Sequence, residues 1–290
     1  MTKVYSEISK TLETLENYHS LACPCCSNPL EVSQDENTND SDSYDQVNAA
    51  KTSASFQTLA NYLRSDFFDG VWRNFNLGSS GLNPNNGKLL YNLSSGFSHL
   101  GVNDTNGITT GKRYLARESF KLYGETLGID FEETTSTSTD TDFYFRDAYA
   151  SAYNVNTGYQ SGIDVSYVNV DDDWYSGTND LGDYVLQTYI HEIGHAIGLG
   201  HQGDYNGSVD WDSEVVYAND SWQASIMSYV QSSSSPSADR FAGDANTNVS
   251  WNWEWCATPM VADWIALDDM YGDQGYGISN AFNGDTIYGF

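Results

Sequence analysis

The sequence predicts an α/β (α+β) domain, preceded by a distinct N-terminal segment and followed by a short glycine-rich tail. Three observations carry this. Apolar residues recur at helical spacing in well-separated stretches of the chain. Short runs rich in Val, Ile, Tyr and Phe lie between those stretches. An acidic stretch almost free of apolar side chains divides residues 1–48 from the rest.

From Ser6 to Leu21, the spacing of Ile8, Leu12 and Leu15 predicts a short amphipathic helix. The cluster Cys23-Pro24-Cys25-Cys26 follows, and Glu31 to Asn48 then reads as a solvated linker. The boundary of the main domain, 49–272, is placed there. Phe56, Leu59, Ala60 and Leu63 mark its first helix, and Ala116, Phe120, Tyr123 and Leu127 a second, stopped by Gly128. Strands are expected over Lys88–Leu93, Ile129–Glu132, Phe143–Phe145 and Val165–Val170. A third helix begins near Asp180, with Val185, Tyr189, Ile193 and Ile197 recurring every fourth residue. A fourth takes Thr258 as N-cap and Pro259 as its first residue, with Gly272 just past its end.

Composition narrows the function classes. The chain of 290 residues has 40 acidic and 12 basic side chains, a net charge of −28. Such a surface repels phosphate backbones, so nucleic-acid and anionic-membrane partners are not expected. It reads either as a solubility device or as suited to a cation-rich exterior. No apolar run approaches the roughly 20 residues of a membrane helix. The opening Met1-Thr2-Lys3-Val4-Tyr5 leads into polar sequence without an apolar core, so no Sec-type signal peptide is expected. Three of the 4 cysteines crowd into residues 23–26 and the fourth is Cys256, which is neither a disulfide scaffold nor the two ligand pairs of a structural zinc site.

The chemistry concentrates in His191-Glu192-Ile193-Gly194-His195-Ala196-Ile197-Gly198-Leu199-Gly200-His201, which holds three of the chain's 5 histidines. On a helix, His191 and His195 project from one face one turn apart, a spacing that suits one Zn²⁺. Gly198 can take positive φ and turn the chain back, delivering His201 as a third ligand. A fourth position stays open for water, the mark of a catalytic site. Glu192 then faces that water as general base. A buried helix with incidental histidines is the bland reading, and the extended motif rarely arises that way.

H-E-x-x-H-x-x-G-x-x-H is the metzincin signature, and the text around it resembles the serralysins, secreted bacterial metalloproteases. The likeness rests on Gly203-Asp204-Tyr205-Asn206, on Ser225-Ile226-Met227-Ser228-Tyr229, on Pro259-Met260 and on the closing Gly284 to Phe290. It is specific from about Asp180 onward, vaguer from Phe56 to Val170, and does not reach residues 1–48. It implies a twisted, mixed five-stranded sheet with an active-site helix and a C-terminal helix. It implies zinc on His191, His195 and His201, with Tyr229 as a removable fifth ligand that stabilises the oxyanion. Met227 would floor the metal. A strand near Ala148–Tyr153 would rim the cleft and pair with extended polypeptide substrates, an ordinary sheet strand being the other reading. A monomeric secreted endopeptidase is the expectation. A catalytically dead binding module and a non-proteolytic zinc hydrolase are the alternatives, and the intact Glu192 argues against the first.

Two departures accompany the resemblance. The calcium-binding C-terminal β-roll of G-G-x-G-x-D repeats does not occur, so 273–290 reads as the start of a linker to such a module, in a truncated chain or a shorter relative. Asp285 reads as half of a calcium site or as an exposed acidic turn. The cysteines are the second departure. Cys23, Cys25 or Cys26 is expected to supply an inhibitory thiolate to the zinc from a pro-segment spanning 1–48. A disulfide to Cys256 and an idle leader are the competing readings.

Overall fold

A computed structural model describes residues 21–23, 51–71, 73–99, 101–138, 140–159, 161–206, 209–230 and 255–283. The expected N-terminal helix, apart from Leu21, lies outside these residues, as do Cys25, Cys26 and Asp285.

Four helices form where the apolar spacing places them. In α1 (Phe56–Arg64), the Ser55 hydroxyl accepts from the Thr58 N–H, and Leu59, Ala60, Tyr62 and Leu63 turn inward. The next, α2 (Thr110–Leu127), begins a turn and a half before the predicted apolar stripe and ends at Gly128 with φ +78°. The Asp183 carboxylate starts α3 (Tyr184–Ala196) by accepting from Leu186 N at 2.9 Å, slightly later than Asp180. The fourth, α4 (Val261–Tyr271), corrects the Thr258 cap: Met260 is the N-cap. The reason is Asp263, whose carboxylate accepts from Met260 N at 2.7 Å and fixes the first turn there.

Among the described residues the strands are β1 (Leu21–Cys23), β2 (Lys88–Asn92), β3 (Ser98–His99), β4 (Val102–Asn103), β5 (Asp130–Glu133), β6 (Phe143–Arg146), β7 (Ala152–Thr157) and β8 (Val165–Asn169). The domain's sheet is five-stranded, in the order β7-β8-β6-β2-β5, and β1 adds a sixth strand beside β7. Pairs β2–β5, β2–β6 and β6–β8 are parallel; β7 runs antiparallel to β8, and β1 antiparallel to β7. The mixed sheet is therefore as expected. Leu21 is not a helix terminus but pairs opposite Asn154. The rim strand begins at Ala152 rather than Ala148, because Ser151 N bonds back to Tyr149 O at 2.7 Å and Asn169 Nδ2 donates to the same carbonyl at 3.0 Å. Residues before Ala152 thus turn instead of extending.

Both faces of β6 are buried. Phe143 and Phe145 join Phe120, Tyr123 and Tyr189 in the main core, which the helices cover. Tyr144 points the other way, with Phe97, Tyr153 and Tyr167, as the two-residue period of a strand requires. On this second face the fully buried Arg146 donates to the carbonyls of Phe97, His99 and Val102 at 3.3, 3.1 and 2.9 Å, to Asn169 Oδ1 and to the Tyr153 hydroxyl. It clamps the β3–β4 hairpin over the sheet and ties both to the rim strand β7. After α4, the chain packs back: Gly277 N donates to Leu127 O at 3.0 Å and Asn280 Nδ2 to the same oxygen at 3.1 Å. No helix among the described residues is long and apolar enough to cross a membrane.

Candidate metal centre

Helix α3 is buried along almost its whole length, so its histidines face protein rather than solvent. His191 and His195 lie one turn apart with ring centroids at 4.7 Å. The helix then stops abruptly. Gly198 takes φ +111°, and a Cβ there would sit 2.0 Å from the Arg73 carbonyl oxygen, so only glycine fits. Leu199 N bonds back to Gly194 O at 2.9 Å, and Gly200 N is held by Leu63 O at 2.6 Å. That turn brings His201 back to 4.6 Å from His195 and 5.5 Å from His191, ring to ring. The ligand atoms of the three imidazoles all lie within 4.8 Å of one another.

Carbonyls fix the outer nitrogens of His191 and His195. His191 Nδ1 bonds Ile226 O at 2.9 Å, and His195 Nδ1 bonds Leu199 O at 2.7 Å. A carbonyl only accepts, so each Nδ1 carries the proton and each Nε2 presents a lone pair inward. Burial pushes His191 down to about 4 and holds His195 and His201 well below the usual imidazole range, with neighbouring imidazoles adding to the effect. All three are neutral at pH 7, as metal ligands must be. His191 Nε2 is sealed from water with no hydrogen-bond partner, and His195 Nε2 faces His201 Nε2 at 3.0 Å. The donor set fits a divalent metal that prefers nitrogen, and zinc above all.

Glu192 is fully buried beside these ligands. Burial pushes the Tyr153 phenol up, and the charge of Glu192 adds to the effect. Asn156 of β7 donates to His195 O at 2.8 Å, joining that rim to the end of the helix. Met227 packs beneath the helix, where a Cβ on Gly194 would meet its sulfur at 2.9 Å. Tyr229, 2% exposed, sets its ring 4.5 Å from that of His201. The structure thus brings His191, Glu192, His195, His201, Met227 and Tyr229 together. The backbone of Cys23 pairs opposite Ala152 in the β1–β7 ladder. Cys256 is a free, buried thiol pushed up to about 12 by burial, and its N–H is held by Gln187 Oε1.

Sequence reasoning missed the residues that hold this group. Asp263 is fully buried, accepts from Ser225 Oγ at 2.6 Å and from Ile226 N at 2.8 Å, and so positions the very carbonyl that fixes His191. Burial pushes it up to about 6. An acid three residues after a helix start is readable as a capping box, but its second attachment is not. Phe67 lies edge-on to His201 at 5.1 Å, and Tyr205 stacks on Tyr229 at 4.8 Å.

A helix-borne pair of imidazoles, a glycine turn onto a third and a methionine loop below them are the arrangement that the metzincin resemblance implies. The sequence model of Metallo-peptidase family M12B, Reprolysin-like, matches residues 131–258. Serralysin C of Dickeya chrysanthemi is 36% identical over 144 residues, covering 49% of this chain and 26% of that protein. Serralysin of Proteus mirabilis is 31% identical over 195 residues, 60% of this chain and 36% of the relative. Serralysin of Photorhabdus sp. (strain Az29) is 30% identical over 192 residues, 62% and 36% of the two chains. These alignments span about a quarter to a third of each relative's length. Over the aligned residues, the chain is similar to serralysins.

Proposed function

We propose that this chain is a zinc-dependent endopeptidase that hydrolyses peptide bonds in extended polypeptides outside the cell. The observation that carries the reading is the sealed set of three neutral imidazoles whose Nε2 atoms converge beside a buried glutamate. His191, His195 and His201 would hold the metal, which when bound would polarise the scissile carbonyl and make an attacking water more acidic. Glu192 takes the proton of the attacking water and passes it to the departing amine. Tyr229 donates its hydroxyl to the carbonyl oxygen as negative charge develops there. Once Leu21–Cys23 is displaced from it, the outer edge of β7 aligns an extended substrate by strand addition. Export accords with the acidic surface, and with −28 overall no nucleic acid is a partner.

Casein cleavage that stops with 1,10-phenanthroline and returns on adding zinc is the expected result. Chelator-sensitive hydrolysis of small esters without casein cleavage would point to a non-proteolytic hydrolase. Zinc bound with neither activity would leave a binding module. Tyr229→Phe is expected to lower kcat about 10- to 1000-fold with little change in KM. A rise in KM alone would make Tyr229 a substrate-binding group.

The same reading extends to latency. Residues 1–48 act as a pro-segment, with Cys23, Cys25 or Cys26 as the thiolate that blocks the metal. The pairing of Leu21–Cys23 along β7, on the edge an incoming peptide needs, supports a segment lying over the cleft. Removing the residues before Ala49 should raise peptidase activity at least about tenfold, which takes only ~1.4 kcal/mol of inhibitory contact. Replacing all three cysteines by Ser should give a leaky protein. Equal activity of full-length and shortened chains under reducing conditions would leave the leader idle.

A further inference from the structure

Tyr229 sits in a short loop that is pinned on both sides. Ser228 O accepts from the Trp222 indole at 2.8 Å, and Val230 O accepts from Trp222 N at 3.0 Å. Ser228 Oγ donates to Asp220 Oδ1 at 2.6 Å and itself accepts from Val230 N at 3.0 Å. The backbone around Tyr229 is therefore fixed, but these bonds leave its side-chain torsions open. A second ring restrains them. Tyr205 stacks on Tyr229 with centroids 4.8 Å apart and planes at 26°, and lies 5.8 Å from the His201 ring. Its own hydroxyl donates to Asp220 at 3.0 and 3.3 Å to the two oxygens.

Asp220, Tyr205 and Ser228 are each at most 1% exposed. A carboxyl so sealed costs stability unless its lone pairs are used, and here they fasten two loops, one carrying Tyr205 and the other Tyr229. Tyr205 cannot swing away without breaking its bond to Asp220, and Tyr229 cannot tilt towards it without a clash. The same ring touches the loop of His201, so the third imidazole and the Tyr229 phenol share one fixed reference.

We propose that Tyr205, anchored by Asp220, is a positioning residue that aims the Tyr229 hydroxyl at the oxygen of the scissile carbonyl. It touches neither substrate nor metal. The inference rests on the reading of Tyr229 as the oxyanion donor. Small misplacements of a reacting group cost up to about 10²-fold in rate, so the effect should appear in kcat.

Tyr205→Phe keeps the ring and removes the anchor; Asp220→Asn keeps an acceptor for both hydroxyls and serves as the milder variant. Each is measured on a fluorogenic peptide, in the native chain and combined with Tyr229→Phe, with zinc content determined alongside. Tyr205→Phe should lower kcat about 5- to 50-fold, with KM changed less than about twofold and zinc near one per chain. Asp220→Asn should lose less. In the Tyr229→Phe background, Tyr205→Phe should cost less than about twofold more, since the group it aims is gone. Equal losses in both backgrounds, a rise in KM, or loss of zinc would overturn the positioning role. So would full activity of Tyr229→Phe beside an impaired Tyr205→Phe. Native chain with no chelator-sensitive peptidase activity would instead defeat the endopeptidase reading itself, before the cycle is measured.

Discussion

Glu192→Gln is expected to abolish peptide hydrolysis while zinc remains bound at about one ion per chain. Gln matches Glu in size and hydrogen-bonding reach, so the fully buried position stays filled. What it loses is basicity. Removing a general base costs about 10²–10⁴ in rate, and this carboxylate serves two proton transfers, from water and to the leaving amine. His191 and His195 keep their geometry, since their Nδ1 contacts run to the carbonyls of Ile226 and Leu199. Turnover near that of the native chain, with zinc present, would rule out the base. Loss of zinc together with activity would make Glu192 a structural support of the site.

Gly198→Ala should damage the centre without altering any ligand. The added Cβ would lie 2.0 Å from the Arg73 carbonyl oxygen, at a φ of +111° that side chains rarely adopt. Backbone strain of ~1–3 kcal/mol and overpacking of similar size combine to roughly 2–6 kcal/mol. Because the turn carries His201, the loss falls on metal affinity as well as on stability. Urea unfolding with chelator reports the first part and zinc titration of the folded chain the second. A native-like midpoint with native-like zinc affinity would mean that residues 73 and 198 can separate at little cost.

The zinc ligands and their helix were legible because the motif is contiguous: one helical repeat and one glycine turn bring its parts together. The apolar spacing of α1, α2 and α3 was legible for the same reason. Errors arose where a distant partner decided the outcome. Thr258-Pro259 carries the local marks of a helix start, yet Asp263 holds the cap at Met260. The resemblance implies a strand near Ala148–Tyr153, but Asn169 holds the Tyr149 carbonyl in a turn and the strand begins at Ala152. Leu21 is expected to end the N-terminal helix and instead pairs with β7. The β3–β4 hairpin has two-residue strands and no periodicity to read. Asp220 and Tyr205 are fifteen positions apart, and only the folded chain shows that their bond lies behind Tyr229.

The strand at Leu21–Cys23 has a second consequence, for colloidal behaviour. Among the described residues it is the strand paired with the outer side of β7, whose backbone from Ala152 to Asn154 would otherwise offer donors and acceptors to any strand of suitable length, another copy included. Cutting away the N-terminal segment would uncover that edge. The exposed strand is short, and Asn154, Asn156 and Thr157 give it little apolar attraction. The main guard is the repulsion of molecules that still carry a net charge of −21 once residues 1–48, with their 9 acidic and 2 basic side chains, are gone. That guard reaches only about 8 Å at physiological ionic strength, and it vanishes as the carboxylates are protonated. A matured chain would stay dispersed through its charge, where the uncut one also has a covered edge, so brine and acid would be the conditions in which copies begin to zip together.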